Sequence, residues 1–268
     1  MFVGREHRKG GNRGLRAGSI VRSGLLLGAI RVKGLIIAAG RGSRLGARTD
    51  ELPKTLLPFG QGTILSQILH NFSSIGIEEF VIVVGYQAVR LTDYLAEHGS
   101  FGLRVEVVEN LEWRRGNGVS VLRARDQVGS GAFLLSMSDH LVSPAALAAL
   151  RDAPSSNNLL LVDPRLDAVV DLEDATKVEM QGDRITRIGK DLERYDGFDC
   201  GVFRLTHGFF DAMTAELAQN RESISEGARR LIREQAFEGV LLPPGCDWID
   251  VDTPETYAFA LQHQSRFT

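Results

Sequence analysis

Residues 34–45 read GLIIAAGRGSRL, an apolar run that breaks into two closely spaced glycines and two arginines, and Pro53-Lys54 follows shortly after. Glycines at a strand end let backbone N–H groups come close to phosphate oxygens. Arg44 can make forked hydrogen bonds to the same oxygens, and Lys54 adds a point charge. Such a loop binds anions, and a nucleoside triphosphate is the ligand it suits. The plain alternative is a tight strand-to-helix turn with solvated arginines; Arg44, Pro53 and Lys54 together count against it. Two familiar phosphate loops do not fit. The dinucleotide fingerprint G-x-G-x-x-G asks for glycine where Leu45 stands, and the Walker pattern G-x-x-x-x-G-K-[ST] has no match.

Carboxylates farther along stand in unusual places. Asp139 follows the apolar run AFLLSMS at 132–138, where an aspartate without a task is costly beside a core. Asp250 and Asp252 fall in WIDVDTPE at 248–255, in which Thr253 caps a helix and Pro254 opens it. A D-x-D element also occurs in metal-dependent glycosyltransferases, so DVD alone does not select a chemistry.

These residues need a frame. From Val32 onward, strand-type runs at 34–39, 80–85, 105–109, 132–138, 158–162 and 200–205 alternate with helical patterns. Several runs are apolar on both faces, as strands covered on both sides must be. Ile64, Leu65, Ile68, Leu69 and Phe72 make one helical stripe, and Phe209, Phe210, Met213 and Leu217 make another after a Thr206 cap. Ser143 and Pro144 open a third helix. The alternation predicts an α/β layered fold with a mostly parallel sheet and ligands at the carboxyl ends of its strands. Residues 176–189 break the rhythm as two short strands around Gly182-Asp183, a hairpin expected over the site.

Composition sets the outer bounds. A chain of 268 residues with 43% hydrophobic content can bury a sizeable core, and one catalytic-size domain is expected. Cys200 and Cys246 have neither metal-ligand spacing nor a disulfide framework, which fits a reducing cytoplasm and core positions. The net charge of −3 hides an asymmetry: residues 1–31 carry +6, leaving −9 for the rest. An acidic body argues against nucleic acid as a partner. No stretch reaches the ~18 apolar residues of a membrane span, so a soluble, cytoplasmic protein without membrane insertion is expected. The basic leader at 1–31 is open to three readings: a signal peptide, a disordered arm, or a misassigned start ahead of a domain beginning at Val32. The last is preferred, since VKGLII resembles a natural beginning.

AAGRGSRL followed by PKTLLPF resembles the signature of the sugar-phosphate nucleotidyltransferases, and the resemblance runs from Lys33 to about Tyr257. VVGY (83–86), SMSDH (136–140) and WIDVDTPE follow in the family's order. In detail, GNGVS (116–120), MSDH, DATKV (174–178), IGK (188–190) and CGVF resemble the CTP:inositol-1-phosphate cytidylyltransferase branch. The resemblance implies a Rossmann-like three-layer α/β nucleotidyltransferase fold with a mixed, mostly parallel sheet. It also implies Mg2+, held by Asp139 and Asp250, with Asp252 as the competitor for the second position. Arg44 and Lys54 become the catalytic cations. Ala38, Gly40, Gly42, Gly118 and Ser120 become nucleotide contacts, although Gly116 and Gly118 could equally be turn glycines; Asn117 has no assigned partner.

On the acceptor side, Lys190 matches a family lysine in placement, although the usual Glu-Lys-Pro wording is absent. Lys177 is a second cationic candidate with a solvated lysine as its alternative, and Asp199 and Gly201 are expected in the polyol pocket. His140 is read as a neighbour of the acceptor; an ionised acceptor phosphate needs no base. The implied reaction joins CTP and inositol-1-phosphate into CDP-inositol and pyrophosphate. The product would pass to a separate membrane transferase. Rivals are the same chemistry on a hexose-1-phosphate or on phosphocholine, for which no aromatic cage is visible, a glycosyltransferase using DVD, and a catalytically silent binding module.

Overall fold

The computed structural model describes Met1, residues 32–167 and residues 174–268. Expectations for the leader therefore fall outside the described residues. The first strand, β1 (Lys33–Ala38), is buried from Gly34 onward. After it come two 3-10 stretches, Ser43–Thr49 and Lys54–Leu56, and the small ribbon of β2 (Pro58–Phe59) with β3 (Gly62–Thr63). Helix α1 (Ile64–Ser74) starts where Thr63 and Ser66 cap each other reciprocally. Alternation continues through β4 (Glu79–Val84), α2 (Ala88–Glu97), β5 (Arg104–Glu109), α3 (Asn117–Arg123), the single turn α4 (Arg125–Val128) and β6 (Phe133–Met137). Next come β7 (His140–Val142), α5 (Pro144–Asp152), β8 (Asn158–Asp163), β9 (Lys177–Gln181) and β10 (Arg184–Gly189). The chain closes with β11 (Gly197–Leu205), α6 (Gly208–Leu217), α7 (Ile224–Arg233), β12 (Phe237–Leu241), β13 (Trp248–Asp250) and α8 (Pro254–Gln262).

Among the described residues, nine strands form one sheet in the order β5-β4-β1-β6-β11-β8-β12-β10-β9. The mixed sheet is the one expected: β11 and β10 oppose the common direction of the other strands. β5, β4, β1 and β6 are parallel neighbours, as are β8 and β12. β11 runs antiparallel between β6 and β8, and β10 runs antiparallel to both β12 and β9. β11 also meets β9 through Gly197 and Phe198, so β11, β8, β12, β10 and β9 close a circuit of pairings.

Strand alternation divides the core between the two faces of the sheet. Ile36 and Ala38 pack with residues of α1, α2, α5 and α8, whereas Leu35 and Ile37 pack with residues of α3, α6 and α7. The three layers are helices, sheet and helices. Cys200 and Cys246 are free thiols in the buried interior, as their spacing suggested. No helix among the described residues is long and apolar enough to cross a membrane.

Two expected caps differ. His207, not Thr206, precedes α6, and no side chain caps that helix; the Thr206 hydroxyl instead donates to Asn158 Oδ1 at 3.2 Å. Ser143 does precede Pro144, but its hydroxyl accepts from the Asp247 backbone N–H at 3.2 Å and so ties α5 to the approach to β13. In both cases a long-range partner takes the hydroxyl that local helix chemistry would have used. The Thr253 cap of α8 forms as expected, with Thr256 reciprocating.

Candidate active site

The loop after β1 holds its lysine by a close approach of backbone and side chain. Gly42 has φ 71°, and a Cβ there would stand 2.7 Å from Lys54 Cβ and 2.8 Å from Lys54 Cδ. Only glycine lets the Lys54 stem pass so near, and a left-handed backbone there adds a second reason. Inside the loop, the Thr49 hydroxyl donates to Gly42 O at 3.0 Å, and Leu45 reaches the core. Gly40 is exposed, with nothing within 4 Å of where its Cβ would be. Ala38 is buried in β1, which leaves only its backbone for a ligand.

Lys54 is itself buried, at 7% exposure, and its ammonium sits 2.5 Å from Asp139 Oδ2 and 2.7 Å from Asp252 Oδ1. Arg44 pairs with Asp252 and with Asp174, and Asp174 in turn pairs with Lys190. These ion pairs make one chain of alternating charge from the loop to the β9–β10 hairpin. Asp252 is thereby engaged by both loop cations, and its backbone N–H donates to Thr256 Oγ1 at 3.0 Å.

Asp250 takes a different position. The antiparallel ribbon of β7 and β13 puts Asp250 directly opposite His140, beside Asp139. Ligating atoms of Asp139, His140 and Asp250 all lie within 4.8 Å of one another. His140 Nδ1 is 2.7 Å from Asp139 Oδ1, and its ring stacks on Trp248 with centroids 5.9 Å apart at 12°. Burial works against the Asp139 carboxylate, but Lys54 and His140 outweigh it and hold the group well below the ordinary range. For His140, burial is again opposed, here by the Asp250 and Asp139 charges, which push the ring up to about 9. Burial raises Asp250, and the adjacent Asp139 charge adds to that shift against the pull of His140. Asp250 Oδ1 is shielded from solvent and has no hydrogen-bond partner among the described residues. An orphaned carboxylate oxygen beside a second carboxylate is an arrangement a hard divalent cation satisfies, so the residues fit such an ion.

A cavity of about 820 Å³ opens on this cluster and runs to the antiparallel side of the sheet. Asp199 and Gly201 line it at an irregularity in β11. The Gly201 N–H donates to Asp199 Oδ1 at 2.7 Å, yet burial outweighs that bond and pushes Asp199 up to about 6. Gly201 has φ 71°, and a Cβ there would sit 2.2 Å from His140 Cδ2. Lys190 also lines the cavity. So do Asp163, Arg165 and Asp247: Asp163, 1% exposed, accepts from Arg165 Nε at 2.9 Å and from Trp248 Nε1 at 2.8 Å, while Arg165 reaches Asp247 at 2.9 Å.

A family model for the MobA-like NTP transferase domain matches residues 34–237. The chain belongs to this family. It is 34% identical over 223 residues to the bifunctional IPC transferase and DIPP synthase of Aquifex aeolicus, an alignment covering 82% of this chain and 49% of that protein. The protein of the same name from Thermococcus kodakarensis is 31% identical over 229 residues, covering 83% and 48%. The chain spans about half the length of these curated relatives. Among solved structures it resembles the inositol-1-phosphate CTP transferase from T. maritima, with a TM-score of 0.80, 26% identity, and coverage of 90% of this chain and 97% of that one. A UDP-glucose pyrophosphorylase complexed with UDP-glucose shares the fold at a TM-score of 0.72 and 17% identity, covering 88% of this chain and 98% of that one.

Within this NTP transferase domain, the expected residues Ala38, Gly40, Gly42 and Lys54 stand beside the cavity without lining it, Lys54 reaching it only through Asp139 and Asp252, and Gly118, Ser120 and Lys177 are not brought to it either. Gly118 packs inward: a Cβ would stand 2.1 Å from Met213 Cε and 2.6 Å from Glu222 O. Its glycine answers to internal packing. Ser120 is 3% exposed, and its hydroxyl accepts from Asn110 Nδ2 at 3.0 Å. Lys177 lies over the Tyr195 ring at 5.4 Å, away from the cavity lining. Asn117 does line the cavity, while its Oδ1 accepts from the Ile224 N–H at 2.8 Å. Sequence reasoning missed Asp163, Arg165, Asp174 and Asp247. DATKV and WIDVDTPE pass through or beside two of them, but nothing local marks Asp163 or Arg165.

Proposed function

We propose that this chain transfers the CMP unit of CTP to inositol-1-phosphate, giving CDP-inositol and pyrophosphate, with Mg2+ as its cofactor and the cytoplasm as its location. The observation that carries this reading is the convergence of Arg44, Asp139 and Asp250 on one cavity, with Lys54 buried directly behind Asp139 and Asp252; the cavity is large enough for two phosphorylated substrates and is bordered on its far side by Lys190 and Arg165. The likeness to an inositol-1-phosphate CTP transferase over nearly the whole of both chains supports the choice of substrates.

Asp139 and Asp250 would hold the divalent ion, which supplies charge neutralisation where a triphosphate and a phosphate monoester meet. Arg44 exchanges Asp174 and Asp252 for phosphate oxygens when the nucleotide enters. Lys54, fixed between Asp139 and Asp252, keeps the carboxylates apart and faces positive charge toward the transferring phosphate. Lys190 gives up Asp174 to the acceptor phosphate. An ionised acceptor oxygen forms the new bond to the α-phosphorus while the α–β bridging bond breaks in line, and the electrons leave with pyrophosphate. No proton need move, so His140 orients Asp139 and is not a base. Catalysis is positioning and electrostatic stabilisation.

Product mass spectrometry tests this. The protein is mixed with Mg2+, each of the four NTPs, and a panel of inositol-1-phosphate, hexose-1-phosphates and phosphocholine. CDP-inositol plus pyrophosphate is the expected outcome. Another adduct would overturn the acceptor or the base, and no adduct with any pair would favour a silent binding module. Delivery of the product to a separate membrane transferase belongs to the same proposal; the curated relatives are named for two activities, and this chain spans about half of their length.

A further inference from the structure

The motif VVGY, residues 83–86, has no part in the scheme above, yet its tyrosine touches both ends of the phosphate loop. The Tyr86 N–H donates to Ala39 O at 2.9 Å, where the loop leaves β1. Its phenol hydroxyl lies 2.8 Å from Asp50 O and 3.1 Å from Thr49 O, where the loop ends. A single hydroxyl proton is shared between these two carbonyls, and Gln87 Nε2 approaches the phenol oxygen at 3.4 Å while reaching Asp50 O at 3.1 Å. The ring also carries the Arg41 guanidinium at 5.6 Å and meets Trp113 edge-on with centroids 5.4 Å apart.

The backbone is arranged for this contact. A Cβ on Gly85 would stand 2.9 Å from Ala39 O and 2.5 Å from Trp113 Cβ, so glycine is required for β4 to end this close to the loop's origin. Gln87 takes φ 51°, a conformation a glutamine adopts only when its surroundings enforce it. Leu45 anchors the middle of the loop in the core, and Thr49 ties it internally through Gly42 and Gly46. Neither spans from the end of β1 to Asp50; the Arg41–Asp50 ion pair at 2.8 Å crosses the same ends, but between half-exposed side chains whose pairing is worth little in water.

We propose that Tyr86 is a positioning residue that spans the phosphate loop and sets the placement of Arg44 for the nucleotide. The inference rests on the nucleotidyl-transfer reading for its kinetic consequence and on geometry alone for its structural one. Tyr86→Phe removes the hydroxyl and keeps the ring. Losing one shared hydrogen bond shifts a local opening equilibrium by about tenfold.

The loop carries Arg41, Arg44 and Arg48, so trypsin reports on its order without any substrate. Cleavage after these three arginines should quicken about tenfold in Tyr86→Phe, with cleavage after Arg184 and Arg187 and the Tm unchanged. The KM for CTP should rise about tenfold while that for inositol-1-phosphate stays fixed, and Gln87→Ala should give a weaker version of both effects. Unchanged loop cleavage overturns the proposal. A uniform rise in cleavage with a fall in Tm also overturns it, because the role would then be stability of the whole domain. A rise confined to the acceptor KM does so as well. Should the wild-type chain transfer no cytidylyl group, the proposed reaction fails while the cleavage result still decides the role of Tyr86.

Discussion

The side of the cavity proposed for the nucleotide hangs from neighbouring parallel strands and one loop, whereas the side proposed for the acceptor is assembled from residues as distant as Asp163 and Asp247. On the first side the chemistry is local: Gly42, Arg44 and Lys54 follow β1 within a few turns, and the loop's shape depends on backbone conformation. On the second side, β11 runs antiparallel between β6 and β8, and the hairpin closes a circuit back to it. Its cavity wall is a set of crossing ion pairs, Asp163–Arg165–Asp247 and Lys190–Asp174, that no single segment contains. A local loop can carry a sequence signature; a wall built by topology leaves its residues scattered.

Lys54 joins the two sides, and its removal should have the largest effect. Lys54→Ala would leave Asp139 and Asp252 facing one another without the ammonium that both now contact. Turnover should fall about a hundredfold or more, and urea denaturation should show a loss of about 3 kcal/mol or more, the usual consequence of unpairing buried charges. Near-normal turnover would remove Lys54 from the mechanism. Gly201→Ala tests the same junction from the acceptor side. The new Cβ would sit 2.2 Å from His140 Cδ2 and force a left-handed alanine, a conformation that costs about 1–2 kcal/mol. His140 must move, and Asp139 with it. The concentration of Mg2+ needed for half-maximal activity should rise several-fold; an unaltered Mg2+ titration would separate His140 from the metal site.

Asp163→Asn should divide the two sides more finely. Burial opposes the Asp163 carboxylate, but hydrogen bonds from Arg165 and Trp248 outweigh it and hold the group below its ordinary 3.8. A carboxylate depressed by folding adds stability that is present above the unfolded value and lost as pH falls through the folded one. The wild-type domain should therefore lose this contribution below about pH 4, and the asparagine variant should show a shallower acid limb in a Tm-versus-pH series. Because Asp163 also holds Trp248 and Arg165, the KM for the acceptor should rise by several-fold with the KM for CTP little changed. Equal rises in both would erase the distinction between the sides.

The parallel half of the fold was legible for the same reason that its chemistry was. Apolar runs buried on both faces marked β1, β4 and β6, and the loop after β1 kept its glycines and cations together. Asp139 and Asp250 were visible separately, but their meeting depends on the β7–β13 ribbon, two three-residue strands more than a hundred residues apart. No periodicity exists in three residues. Arg165 looks like any arginine after a Pro, and only the position of Asp247 and Asp163 turns it toward the cavity. Thr206 and Ser143 failed as caps because each hydroxyl had a distant partner that local reasoning could not contain.

Ser120 gives the smallest expected effect and the sharpest check on where the nucleotide side ends. Its motif resembles a base-binding segment, but the hydroxyl is buried against Asn110 Nδ2 at 3.0 Å, and the Asn110 side chain in turn receives the Glu112 N–H at 3.0 Å. The segment is also fastened from behind, since the Gly118 N–H donates to Glu222 O at 2.8 Å. Ser120→Ala would remove an acceptor from Asn110 and leave that amide donor short of a partner. The loss should be about 1 kcal/mol of stability by denaturant titration, with the KM for CTP within about twofold of wild type, a difference below ~0.5 kcal/mol. The opposite pattern, unchanged stability with a tenfold rise in the CTP KM, would mean that nucleotide entry turns this helix outward. The base pocket would then extend beyond the parallel strands, and the nucleotide side would depend on distant contacts as much as the acceptor side does.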